Sequence, residues 1–406
     1  MLSVKEAQEK IIAADVKRKT AEIPILESCG RILAEDVFSG DFIPAYDNSA
    51  VDGFAVRSVD ILGADKNYPV KLRLLREDIP AGTISGVTLD SGVTVQIMTG
   101  ALVPQGCDCV VMREDALKEG RDVLIFRECR QGENVRFKGE DIKKGDRVLH
   151  EGKKIYPADI GVMASIGVSR ALVYRPPLVG ILPTGNELID ISEQLKAAKV
   201  RDSNSYSLSA LLAELNIPYR MYGIVQDDRE LIKKMIASSL AECDILLLTG
   251  GVSVGDYDYV KEILDEIGAE FIFWRVNQRP GKPMAFLTCK NRFIFGLPGN
   301  PVSVMVCFDL YVRPLIKKIM CDPELFRKKT FARAIEEYAH IEGRTDFVRV
   351  KLEQGQGQIY FRLTGMQGSG ILTSMVEADG LAVFPEDRGT IEKDSEVEVY
   401  ILKETG

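Results

Sequence analysis

Between Leu178 and Met320 the chain alternates short apolar runs with amphipathic stretches, and this alternation constrains the fold more than any other feature. Its strongest member is Asp244–Lys261, D-I-L-L-L-T-G-G-V-S-V-G-D-Y-D-Y-V-K. The run Ile245–Leu248 is bounded by a charge before it and Gly250-Gly251 after it. A run this short and wholly apolar reads as a strand buried on both faces, as in parallel sheets. Asp256 then stands at a helix N-cap position, and Tyr259, Val260, Ile263 and Leu264 follow at helical spacing. Glycine lets the backbone approach a ligand closely, and successive N–H groups at a helix N-terminus favour an anion. The loop is therefore either an ordinary βα turn whose glycines need positive φ, or an anion or phosphoester site. The G-x-G-x-x-G spacing is missing, and no Lys-Ser/Thr follows the last glycine, so neither a dinucleotide fingerprint nor a Walker A loop is present.

The flanking segments repeat the pattern. Leu178–Leu182 predicts a strand, and P-T-G-N-E-L puts Glu187 just past its end. Asp202-Ser203-Asn204-Ser205 caps a helix to about Leu215, Tyr219–Val225 is a strand, and Asp227-Asp228 cap the helix Glu230–Ala241. Glu270–Val276 leads into R-P-G-K-P, and strands Met284–Thr288 and Arg292–Phe295 lead into L-P-G-N-P-V-S, where Asn300 caps a last helix to about Met320. Strands alternating with helices predict a doubly wound α/β sheet, and ligands of such sheets bind outside the carboxyl ends of the strands. Five polar loops meet that condition: Thr184–Glu187, Gln226–Asp228, Thr249–Asp258, Arg279–Lys282 and Pro298–Ser303. They gather Glu187, Asp227, Asp258, Arg275, Arg279, Lys282 and Ser303. Singly, each reads as a solvated loop residue. Jointly, acids and bases suit an anionic ligand held with a hard cation.

Upstream, Ser3 and Glu6 form a capping box that opens a helix ending near Arg18. The stretch Asp41–Arg57 is dense in turn residues, including Asp47-Asn48 and Asp52-Gly53. Short alternating strands from Val70 to about Arg127 predict a small β domain, after which a glycine-flanked loop carries Glu140-Asp141. Tyr156–Gly167 reads as a helix, and Arg175-Pro176-Pro177 as a linker. After Asp322-Pro323 an all-β pattern predicts a sandwich or barrel, in which Arg349, alternating with Val348 and Val350, faces away from them towards solvent.

At 406 residues more than one core is expected. The net charge of −8 argues against a general nucleic-acid binder. No apolar run is long enough to cross a membrane and the N-terminus lacks the apolar core of a signal peptide, so a cytoplasmic protein is expected. With only His150 and His340 and scattered cysteines there is no zinc constellation. Acid–base or metal work falls to carboxylates, lysines and arginines.

Eight segments, in order, resemble the molybdopterin molybdenumtransferase family, which includes MoeA and the gephyrin E domain. D-N-S-A-V-D-G-F-A-V-R, M-T-G-A-L-V-P-Q-G-C-D-C-V-V and G-E-N-V-R-F-K-G-E-D-I match its N-terminal half. T-G-N-E-L, D-S-N-S, T-G-G-V-S-V-G-D-Y-D, R-P-G-K-P and L-P-G-N-P-V-S match its central domain. The resemblance implies the last step of molybdenum cofactor biosynthesis, in which adenylylated molybdopterin and molybdate react with Mg²⁺ present to give AMP and the molybdenum-loaded cofactor. It implies a multidomain fold with four parts: an N-terminal mixed domain (1–44 with 141–174), an inserted β domain (45–140), a central α/β molybdopterin-binding domain (175–322) and a C-terminal β domain (323–406). It also implies a homodimer with an intersubunit site, with the upstream adenylylating enzyme and molybdoenzyme acceptors as further partners. Carried over by residue, Asp52, Thr99 and Asp141 belong to that cleft, with Glu187, Asp227 or Asp228, and Asp258 as the central acidic set. Glu187 and Asp258 are the candidates for Mg²⁺ or for activating the pyrophosphate. Gly250, Gly251 and Ser253 match the phosphate-facing loop; Pro298 and Pro301 stand in the L-P-G-N-P-V-S loop. Arg275 and Arg279 stand where the family often has lysine. Lys282, Pro283, Ser303, Arg349 and Ser369 match a molybdate pocket. The alternatives are a scaffold or partner-anchoring protein on this fold, and a pterin-binding module without turnover.

Overall fold

The computed structural model describes residues 1–75, 78–250, 259–355 and 357–403. They form two compact units, one of residues 22–173 and one of residues 1–21 with 174–406. The chain opens with helix α1, Val4–Ala13, whose Ser3–Glu6 capping box is formed on both sides. This helix stops at Ala13, short of the Arg18 expected, because Ala14 turns to an extended conformation and the carbonyls of Ile12 and Ala14 are taken by the Lys318 ammonium. Ala7 and Ile11 are buried in the core of the 174–406 unit.

In the 22–173 unit, strands β1 (Gly53–Val56), β2 (Val70–Leu74), β3 (Val93–Ile97), β4 (Cys109–Met112), β5 (Ala116–Glu119) and β6 (Asp122–Ile125) form one sheet, ordered β4-β1-β3-β2-β6-β5. All four residues of β1 are buried, since it lies inside the sheet between β4 and β3. Helix α2 (Pro157–Ser165) carries Pro157 in its first turn, where the missing N–H costs nothing.

The larger unit is built on a six-stranded sheet of β7 (Val179–Pro183), β8 (Tyr219–Met221), β9 (Ile245–Thr249), β10 (Glu270–Trp274), β11 (Ala285–Cys289) and β12 (Arg292–Leu297), ordered β8-β7-β9-β12-β11-β10. The strands β8, β7, β9 and β12 are parallel; β11 is antiparallel to both its neighbours, which leaves β10 running with the parallel set. Every residue of β9 is buried. Ile245 and Leu247 join one core, while Leu246 and Leu248 join the other, so the period-two alternation of a strand feeds both faces. Helix α3 (Asn204–Glu214) covers the first face with Leu208, Leu211 and Leu212. Helices α4 (Arg229–Glu242) and α5 (Tyr259–Glu266) cover the second with Ile232, Ile236, Val260, Ile263 and Leu264. Truncating a side chain as enclosed as Leu247 to alanine costs about 2–5 kcal/mol.

The last helix of this sheet is not continuous. Helix α6 (Pro301–Cys307) widens into a π-helix at Phe308–Val312 before α7 (Arg313–Ile319). Pro314 cannot donate a helical N–H and its ring crowds the preceding turn, which accounts for the widening just before it. The C-terminal strands β13 (Lys329–Ala334), β14 (Thr345–Gly355), β15 (Gln358–Leu363), β16 (Gly380–Phe384) and β17 (Glu396–Ile401) close into a five-stranded barrel, β14-β15-β13-β17-β16 and back to β14. Of the two β architectures expected there, the barrel is the one formed.

Candidate functional site

The carboxyl ends of β7, β9, β10 and β12 meet at one edge of the central sheet, and the loops leaving them build a cavity of about 610 Å³. The Thr184 N–H donates to the Thr249 carbonyl at 2.8 Å, which ties the ends of β7 and β9 together. Gly250 continues with φ +85°, and a β-carbon there would lie 2.2 Å from the Thr184 carbonyl oxygen, so only glycine allows this approach. Thr184 is buried and its Oγ1 has no hydrogen-bond partner.

Glu187 lines the cavity with an exposed carboxylate. It folds back over Gly185, where a β-carbon would lie 2.5 Å from Oε2 and 2.6 Å from Oε1. The Val200 N–H donates to its backbone carbonyl at 2.9 Å, fixing the loop across the β7 exit. Asp202, 5 % exposed, lines the same cavity, and its Oδ1 accepts the Ser205 N–H at 3.0 Å at the start of α3. Asn204 donates through Nδ2 to the Gly299 carbonyl at 2.8 Å, which fixes the amide orientation and leaves Oδ1 buried without a partner. Ser205 Oγ is likewise buried and unpartnered. Pro301 begins α6, and the N-cap Asn300 makes no side-chain capping bond. Pro283, Pro298, Gly299, Asn300 and Pro301 complete the wall.

Asp227 and Asp228 sit on the loop beside it with different tasks. Asp227 Oδ2 accepts the Asn186 N–H at 3.0 Å while Asn186 Oδ1 accepts the Asp227 N–H at 3.1 Å, a reciprocal clasp between two loops. Asp228 accepts the Leu231 N–H at 2.8 Å as the N-cap of α4. Arg275 is exposed with φ +80°, and its N–H donates to the Met284 carbonyl at 2.9 Å. Lys282 is exposed, and its carbonyl accepts the Val276 N–H at 3.1 Å. Gly251, Ser253 and Asp258 lie outside the described residues.

A second cavity, of about 360 Å³, opens on the barrel and is lined by Arg279, Asp346, Arg349 and Gln367 among others. Here the alternation on β14 misleads. Arg349 is 1 % exposed rather than solvated. Its Nε donates to Ser374 Oγ at 3.1 Å and its Nη2 to the Gly368 carbonyl at 3.1 Å, while Gln367 brackets its backbone. No carboxylate pairs with it among the described residues. Burial and, secondarily, the charge of Arg279 pull its pKa down to about 10. Arg279 is paired loosely with Asp346, at 3.8 Å. Ser303 is buried in α6, and the Ser369 carbonyl accepts the Val302 N–H at 3.2 Å, joining the barrel loop to the start of that helix.

In the 22–173 unit Asp52 and Thr99 come together. Asp52 Oδ1 accepts both the Thr99 N–H and its hydroxyl at 2.7 Å, and these two bonds hold the carboxyl below its usual range. Asp141 is exposed on a separate turn, where its N–H donates to the Ile43 carbonyl at 3.1 Å.

Three family models match the chain in order: the MoeA N-terminal region (domain I and II) over residues 2–167, the probable molybdopterin binding domain over 180–318, and the MoeA C-terminal region (domain IV) over 332–402. The molybdopterin molybdenumtransferase of Staphylococcus epidermidis is 34% identical over 388 residues, 95% of this chain and 91% of that protein. The one from Haemophilus influenzae is 33% identical over 395 residues, 96% of each. The chain belongs to the molybdopterin molybdenumtransferase family. Its fold matches crystal structures of the molybdopterin biosynthesis MoeA protein from Pyrococcus horikoshii, with TM-scores of 0.85 and 0.82 at 29% identity, over 100% and 99% of this chain and all of that one.

Within this family member, the cavity at the sheet edge brings together Glu187, Gly250, Pro298 and Pro301 with Pro283, which the resemblance had assigned to the molybdate pocket instead. Asp202 and Asn204 were anticipated only as helix-start residues; the D-S-N-S segment was the available signal, but it does not show that Asn204 Oδ1 is left unpartnered. No helix is long and apolar enough to cross a membrane among the described residues.

Proposed function

We propose that this protein is a molybdopterin molybdotransferase that takes adenylylated molybdopterin and molybdate and gives AMP and the molybdenum-loaded cofactor. The observation that carries the reading is the cavity at the carboxyl edge of the central sheet. It is large enough for a drug-sized ligand, and an unpartnered buried polar atom, Asn204 Oδ1, belongs to a residue of its wall. Buried polar groups are ordinarily hydrogen-bonded, so an unpartnered acceptor beside a cavity is an argument for a ligand donor such as a pterin N–H.

The described lining is acidic, with Glu187 and Asp202 against Arg201. Such a wall receives a diphosphate only together with a cation, and the oxygen donors present suit Mg²⁺. Glu187 would hold it, with Asp258 as the second candidate. When bound, Mg²⁺ offsets the charge that develops as the diphosphate is cleaved. This chain's own part is to orient: the Gly250 backbone brings its loop against β7, Lys282 and Arg275 add positive charge at the edge, and Asp227 with Asn186 fixes the neighbouring loop. The described lining offers carboxylates and backbone groups and no histidine or cysteine, which supports charge stabilisation rather than a protein nucleophile.

For molybdate, a dianion, we favour the barrel cavity. Arg349 is buried with no carboxylate partner among the described residues, and Arg279, held only loosely by Asp346, lines the same space, an arrangement that an oxyanion would relieve. Asp52, Thr99 and Asp141 are kept as proposed contributors, together with a homodimer, which light scattering tests by mass. The activity is tested by following AMP from purified adenylylated molybdopterin with and without molybdate. Release that depends on molybdate and Mg²⁺ is expected. Binding of the pterin without AMP release would end the enzyme reading.

A further inference from the structure

The opposite edge of the central sheet carries a feature that the proposed chemistry does not use. Where β7, β9 and β12 begin, a cavity of about 200 Å³ is lined by Lys17, Lys19, Arg175, Lys290 and Arg292 with one carboxylate, Asp244. Five cationic groups against one acid give a net +4 in a chain whose total is −8. Asp244 is already engaged: it accepts Lys19 Nζ at 2.9 Å, Arg292 Nη1 at 2.5 Å and the Leu178 N–H at 3.0 Å. Its charge is therefore spent on holding two of the cations in place. Lys17, Arg175 and Lys290 are exposed and form no ion pair among the described residues.

Three like charges around one concavity repel each other unless something anionic sits between them. The backbone gives the arrangement a fixed frame. Lys290 and Asn291 both have positive φ, 47° and 66°, in the tight turn between β11 and β12, which projects Lys290 from a rigid hairpin. Pro176 and Pro177 hold the segment behind Arg175. A second cavity, of about 450 Å³, shares Asn291, Arg292 and Phe293 with the first and extends to Ile272 and Phe286. An anionic head in the first would thus have space for an apolar body beside it.

We propose that this edge is a second anion site, taking the phosphate group of a small molecule. Strands of five residues rise about 3.3 Å per residue, so the site lies about 16 Å across the sheet from the carboxyl-edge cavity. It goes beyond the proposed transferase reaction and does not depend on it. The test is isothermal titration with inorganic phosphate at constant ionic strength, without turnover, for the wild type and for Arg175→Ala/Lys290→Ala. Wild-type binding with an affinity lowered about tenfold or more in the double variant is expected, given the strength of charge-assisted hydrogen bonds. The charge-conserving Arg175→Lys/Lys290→Arg variant should retain binding, and the unliganded Tm of both should match the wild type because the side chains are exposed. AMP that competes with phosphate would assign a phosphoester, and AMP that does not would assign the free oxyanion; either supports the site. No phosphate binding by the wild type overturns the proposal. So does binding that survives Arg175→Ala/Lys290→Ala but is lost in Lys282→Ala.

Discussion

Replacing Arg349 by methionine separates what this side chain costs the fold from what it does for a ligand. Its pKa falls from an ordinary 12.5 to about 10. At about 1.4 kcal/mol for each tenfold in proton affinity, burial together with the nearby Arg279 charge costs at most about 3.5 kcal/mol, an upper limit because nearby solvent still screens it. Against that stand two charged hydrogen bonds, to Ser374 and Gly368, together worth roughly 3 kcal/mol. The two contributions nearly cancel. Methionine has similar length and no charge, so Arg349→Met should unfold within about 2 kcal/mol of the wild type in urea. Molybdate-dependent AMP release, in contrast, should fall by about 100-fold or more if the guanidinium meets the oxyanion. Arg349→Lys keeps the charge but loses the planar fork, and should fall between. A loss of more than about 4 kcal/mol in stability, or full AMP release by Arg349→Met, would refute this reasoning.

Glu187→Gln should leave Tm unchanged, since its carboxylate is exposed and has no side-chain partner among the described residues, but should lower AMP release about 100-fold; unchanged release would remove Glu187 from the site. Gly250→Ala forces a β-carbon to within 2.2 Å of the Thr184 carbonyl at a left-handed φ, so urea titration should show a loss of about 2–4 kcal/mol. Asp52 has its folded pKa depressed, so it contributes stability that is present above its unfolded value near 3.8 and is lost as pH falls through the folded value. Asp52→Asn should therefore flatten the decline of Tm in acid; parallel curves for the two proteins would show that the Thr99 contacts carry none of it.

The central sheet was legible because burial on both faces leaves a plain trace: Ile245–Leu248 can only be a doubly covered strand. From the ends of such runs the site loops follow, and Glu187, Gly250, Pro283, Pro298 and Pro301 do line one cavity. Arg349 shows where strand alternation stops being informative. The rule gives which side of β14 it occupies, but the fold of 366–377 covers that side, with Gly368 and Ser374 as its bonding partners. That covering is a long-range event with no local pattern. Asn204 was hidden for a related reason. A helix-start asparagine ordinarily caps, and only the position of the Gly299 carbonyl shows that its amide points elsewhere. The early end of α1 depends on Lys318, some 300 residues away, and is equally invisible to local propensity.

The proposed reaction turns on one event, diphosphate cleavage coupled to loading of the metal. A single turnover with enzyme in excess over adenylylated molybdopterin, in which AMP and pterin-bound molybdenum are both counted, tests it most directly. The two should appear in equal amounts, and both should vanish when molybdate is withheld. AMP formed without molybdenum incorporated, or in equal yield without molybdate, would contradict it.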